Sequence, residues 1–78
     1  MKSVMSRYEK NKIEYIVMCV FLFAKRSGMP VKRALRYLLD GKGIAYLEEH
    51  YDIEHTLPID DTLDSLEMVC QRNLGATA

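Results

Sequence analysis

Apolar positions fall into four blocks, separated by glycines, prolines and acidic turns. The first runs from Ile13 to Ala24 with scarcely a break: Ile13, Tyr15, Ile16, Val17, Met18, Cys19, Val20, Phe21, Leu22, Phe23 and Ala24. β-Propensity alone would allow a strand, but twelve residues exceed the usual strand length. A helix is predicted instead. Asn11 followed by Glu14 offers a capping box at its start. Lys25 and Arg26 suit the negative end of its dipole, and Gly28 suits the residue that ends it. Residues 1–10 then read as a polar lead-in.

In the second block, Val31, Ala34, Leu35, Leu38 and Leu39 recur at helical spacing. Pro30 fits the first turn, where a missing N–H costs nothing. Lys32, Arg33 and Arg36 cover the other face, and Asp40-Gly41-Lys42-Gly43 ends the helix with two glycines able to take positive φ. A short third helix follows, with Ile44, Leu47 and Tyr51 inward and Glu48 and Glu49 outward. Asp52 to Pro58 reads as a connection. Pro58, Asp60 and Asp61 open a fourth helix, whose inner face is Ile59, Leu63, Leu66 and Val69 or Cys70, extended by Leu74. Arg72 suits its last turn, Gly75 closes it, and residues 76–78 fray.

The expected fold is all-α, a small four-helix domain spanning residues 11–75 with the apolar first helix at its centre. That helix is apolar nearly all round, so it needs cover on most sides. Three short helices with single apolar stripes cover about two. Met18, Phe21, Leu22 and Phe23 are therefore the candidate partner interface. The partner is either a second copy in a homodimer or a different protein, and Met18 and Met68 suit repacking against it.

Length and charge narrow the functional classes. A chain of 78 residues makes one domain and buries only roughly 60–65% of its unfolded surface. The net charge is zero, yet ten of the eleven bases lie at or before Lys42, and eight of the eleven acids lie after it. Such a split points either to halves that meet across the fold or to two surfaces with different partners. No apolar run reaches membrane-spanning length, and the N-terminus does not read as a secretory signal. Cys19 and Cys70 sit apart in apolar runs, which reads as reduced, buried thiols in the cytoplasm.

Candidate chemistry is sparse. His50, Asp52, Glu54 and His55 lie close together, but zinc would need further ligands from distant segments. No serine or cysteine stands in a catalytic motif, and Lys42 between its glycines follows a helix rather than a phosphate-binding strand. The chain is not expected to be an enzyme or to hold a cofactor. Nucleic-acid binding is the main rival reading, carried by Lys32, Arg33 and Arg36 in a helix–turn–helix arrangement. Against it, the following helix carries Glu48 and Glu49, which repel phosphates.

Asn11-Lys12-Ile13-Glu14-Tyr15, Cys19 and Phe23-Ala24-Lys25 resemble the opening helix of a small bacterial family, domain of unknown function 3791. Gly43-Ile44, Tyr46-Leu47, Tyr51-Asp52 and His55-Thr56 resemble its most recognisable segment. The resemblance covers about Lys12 to Cys70. It implies no established activity. It implies a neighbour that looks like an ADP-ribosyltransferase, in arrangements similar to toxin–antitoxin pairs, and hence an antitoxin-like or regulatory role. Within the shared motif, Tyr51, Asp52, His55 and Thr56 are expected to be structural: Asp52 orienting the turn, and His55 with Thr56 anchoring the last helix.

Overall fold

The computed structural model describes residues 5–75 and is all-α, with α1 (Arg7–Ser27), α2 (Val31–Asp40), α3 (Gly43–Glu54) and α4 (Ile59–Gly75). The expected frayed tail at 76–78 and the first four residues of the expected lead-in lie outside the described residues. The rest of that lead-in is mostly helix. Ser6, not Asn11, caps α1: its Oγ accepts from the Glu9 N–H at 3.1 Å, and Glu9 Oε1 accepts from the Ser6 N–H at 3.3 Å. Ser6-x-x-Glu9 and Asn11-x-x-Glu14 are the same local signature. Tertiary contact favours the earlier one, because the added turn carries Tyr8 onto Tyr51, edge to face at 5.5 Å. At the other end Gly28 takes φ +70° and closes the helix, as the sequence predicts.

Positive φ between α2 and α3 falls on Lys42 (φ +70°), whereas Gly41 has φ −88°. The two glycines serve proximity. A Cβ on Gly41 would stand 2.7 Å from the Cβ of Cys70, and one on Gly43 would stand 3.1 Å from its Sγ. This close approach lets α4 seat against the α2–α3 turn, where Asn73 Nδ2 donates to the Gly41 carbonyl at 2.9 Å. Helix α3 runs through Asp52 to Glu54, past non-helical dihedrals at His50 (φ −110°, ψ 19°), so the expected connection shrinks to residues 55–58. Pro58 stands just before α4, its carbonyl accepting from the Asp61 and Thr62 N–H groups.

Helix α1 packs on all three other helices, most extensively on α2. Cys19, Val20, Phe23 and Ala24 meet Ala34 and Leu38 of α2, Leu47 of α3, and Leu63, Leu66 and Cys70 of α4 in one core. Both cysteines are free, buried thiols. Burial pushes the Cys19 thiol up to about 11, against a partial offset from the Tyr15 hydroxyl. The α2 stripe is only partly used: Ala34 and Leu38 are buried, while Val31, Leu35 and Leu39 stay exposed. A helix resting one edge on a core covers about a third of its circumference, and these five positions span more.

Candidate interaction surface

Two sets of side chains matter, and they lie on opposite edges of α1. The first set is polar. The Tyr15 hydroxyl donates to Thr62 Oγ1 at 3.2 Å, and Thr62 donates in turn to the Glu54 carbonyl at 3.4 Å. The Tyr46 hydroxyl donates to Glu54 Oε2 at 2.6 Å. Glu54 is 5% exposed and Thr62 is fully buried. Glu54 Oε1 has no hydrogen-bond partner among the described residues. Burial pushes the Tyr15 hydroxyl up to about 12, and the bond to Glu54 raises that of Tyr46. Sequence reasoning noticed Glu54 only as a member of an acidic–histidine group and passed over Thr62.

The shared motif belongs to this same edge. Tyr51 is buried, with its ring edge-on to Tyr15 at 5.5 Å and stacked on His55 at 4.5 Å. Asp52 does not orient the turn; it accepts from the Tyr8 hydroxyl at 2.6 Å and ties α3 to the first turns of α1. His55 and Thr56 do not anchor α4; they close α3. His55 Nδ1 lies 2.7 Å from the Tyr51 carbonyl, and Thr56 Oγ1 donates to the Ile53 carbonyl at 2.6 Å. Both carbonyls belong to the last turn of the helix and also accept the backbone N–H groups of His55 and Thr56, each at 3.0 Å. No group of three metal-ligating side chains forms among the described residues. Arg26 pairs with Asp64 across the α1–α4 boundary.

The second set is apolar and open. Phe23, predicted as an interface residue, is 1% exposed: it faces inward and stacks on Tyr37 at 5.8 Å. Phe21, two residues earlier, is 54% exposed; Met18 is exposed beside it and Leu22 half-buried. Ile13, Val17 and Phe21 form an exposed row at i, i+4 and i+8 on α1, and Val31, Leu35 and Leu39 form the same row on α2. Tyr15 and Arg26 turn one edge of α1 toward α4. Tyr37, whose carbonyl meets Cys70 Sγ, turns one edge of α2 toward α4 as well. The two exposed rows occupy the opposite edges of their helices. Helices α1 and α2 are joined by three residues and pack on one another, so the two rows stand on one pair of adjacent helices.

The basic residues of the rival nucleic-acid reading lie farther out on α2. Lys32, Arg33 and Arg36 are exposed around an open cleft of about 400 Å³ bounded also by Pro30. Glu48 and Glu49 on α3 are exposed too.

The family model described as a protein of unknown function, DUF3791, matches residues 14–73. The chain belongs to that family. The match takes in all of α2 and α3 and most of α1 and α4. No curated protein and no solved structure matches the chain. Among the described residues, no helix of this DUF3791 protein is long and apolar enough to cross a membrane.

Proposed function

We propose that this DUF3791 protein is a non-enzymatic, cytoplasmic interaction module that binds another protein through the exposed apolar rows of α1 and α2. One observation carries the reading: two apolar rows, one on each of two adjacent helices, stand about half-exposed on a 78-residue domain. Contiguous exposed apolar surface of this kind marks interaction sites in soluble proteins. The polar residues that resemble a chemical site support the same reading, because Tyr8, Tyr15, Tyr46, Asp52 and His55 are engaged with their own chain. The partner class is the one the family resemblance implies, the neighbouring ADP-ribosyltransferase-like protein, with this chain in an antitoxin-like or regulatory role.

Co-expression with that neighbour tests the proposal. The expected result is a complex that survives gel filtration and is weakened at least ~10-fold by Phe21→Asp or Leu35→Asp, each a change at the rim of the core. A neighbour that elutes apart from the wild-type chain overturns the reading. Salt-sensitive binding to duplex DNA that Lys32→Glu and Arg36→Glu abolish would replace it with the nucleic-acid alternative.

A further inference from the structure

We infer that α1 has two built-in starting points, and that the stretch between them is a strap that closes over Tyr51 and Asp52 or releases them. In the closed form the helix starts after Ser6. In the released form it starts after Asn11, and residues 7–11 leave the helix.

The two starts repeat one local device. Ser6 and Glu9 form the capping box of the closed helix, with both reciprocal hydrogen bonds made. Asn11 and Glu14 stand at the same spacing further along. Asparagine ranks among the best N-cap residues and is a poor residue for a helix interior, which is where the closed form puts it. On release, Asn11 moves from a position that costs stability to one that supplies it. Glu14 then lies in the first turn, near the positive end of the helix dipole.

Little else holds the stretch closed. Residues 7–14 are exposed apart from half-buried Lys12, and the first buried residue of α1 is Cys19. Among the described residues, the hydrogen bonds, ion pairs and ring contacts that join residues 7–14 to other helices all come from Tyr8. Its hydroxyl donates to Asp52 at 2.6 Å, and its ring meets Tyr51 at 5.5 Å. Lys12 Nζ lies 5.6 Å from the centre of the same ring, so its contact also depends on Tyr8. Arg7 and Lys10 oppose closure: they are like charges three residues apart at the positive end of the helix.

A segment with no buried apolar side chain, tied down through one residue, opens at a free energy well below that of global unfolding. Simple fraying would carry such an opening on into Tyr15 and Ile16. Here the second cap stops it at Asn11, and Tyr15, bonded to Thr62 and packed on Tyr51, holds the helix beyond. Release frees the Asp52 carboxylate and uncovers Tyr51 on the side that Tyr8 packs against. His55 stacks on that same ring, so the length of α1 decides whether this end of α3 is covered. Ile13, Val17 and Phe21 are helical in both forms, and the exposed apolar row does not depend on the switch.

The test is amide hydrogen exchange on the full chain, read residue by residue by NMR. In the released form the amides of Lys10 to Ile13 lose their helical acceptors, the Glu14 amide gains the Asn11 side chain, and the Tyr15 amide keeps the Asn11 carbonyl. The expected result is one shared opening equilibrium for Lys10 to Ile13 and a step to much higher protection at Tyr15. Asn11→Ala removes the cap of the released form. It should slow exchange at Lys10 to Ile13 about 5-fold beyond any change at Cys19 to Ala24, and Asn11→Asp, which keeps the cap, should not. Ser6→Ala and Tyr8→Phe weaken the closed form and should speed exchange at Lys10 to Ile13. Protection that climbs gradually from Lys10 through Ile16, with Asn11→Ala and Asn11→Asp alike, is simple fraying and overturns the inference. So do Lys10 to Ile13 amides as slow as those of Cys19 to Ala24, because the strap then opens only with the whole fold. Unchanged exchange in Tyr8→Phe overturns it likewise, since Tyr8 is then no latch.

Discussion

The two edges of α1 are built on opposite plans. Toward α3 and α4 the helix presents Tyr8, Tyr15 and Arg26, and each finds a hydrogen-bonding or ionic partner more than thirty residues away. On the other side it presents Ile13, Val17 and Phe21, which the chain leaves in water. These three polar residues of α1 are thus spent on folding, while apolar residues that a core would welcome remain open. Motif-like polar side chains in a small domain are poor guides to its working surface when they bond to their own chain. The uncovered apolar side is the better guide.

Two phenylalanines give the sharpest way to break this contrast. Phe23→Ala should cost about 3–5 kcal/mol, a large share of the stability of a domain this size. Phe21→Ala should change stability by no more than ~0.5 kcal/mol. Urea unfolding followed by circular dichroism reads both, and similar losses would erase the distinction between the edges. Next comes Gly41→Ala, whose new methyl would collide with the Cα and Cβ of Cys70 at 2.9 and 2.7 Å. Overpacking against backbone should cost about 1–3 kcal/mol in the same assay.

Tyr46→Phe sharpens the polar side. It removes the Tyr46 hydrogen bond to the Glu54 carboxylate and leaves both oxygens of a buried acid without a donor among the described residues. The expected loss is about 1–3 kcal/mol, and Glu54→Gln combined with Tyr46→Phe should cost less than the sum of the two singles.

The smallest effect expected is in alkali. Cys19 holds its proton in the fold up to about 11, whereas the unfolded thiol releases it near 9.0. Above pH 9 the unfolded state therefore binds fewer protons than the native state, and stability falls as pH rises through 11. Tyr15 adds the same sign between 10 and about 12. Urea midpoints measured from pH 8 to 11 should decline, and Cys19→Ala should flatten the fall between 9 and 11.

Much of this plan is legible in the sequence. The four apolar blocks mark the four helices, Gly28 marks the end of the first, and the spacing of Leu63 and Leu66 marks the buried edge of the last, on which the packing selects Cys70 over Val69. The phase of α1 is not legible. In a helix apolar on nearly every side, periodicity carries little information about which phenylalanine turns inward, and packing against the other three helices decides it. The start of α1 is hidden for a related reason: two capping boxes compete locally, and a contact from Tyr8 to α3 chooses between them. Glu54 and Thr62 had a readable signal that hydropathy conceals. Glu54 lies on the row through Leu47 and Tyr51, and Thr62 lies four residues before Leu66. A polar residue on a buried row needs a partner: Thr62 finds the Glu54 carbonyl, and the Glu54 carboxylate finds Tyr46 on its own helix.

Cys70 lies with its sulfur nested against two residues that have no side chain of their own. That sulfur is fully buried, so even one oxygen added to it would have to displace packed neighbours. For this protein, an oxidant reaches Cys70 only when the fold opens, and a native fold is its own shield against oxidants.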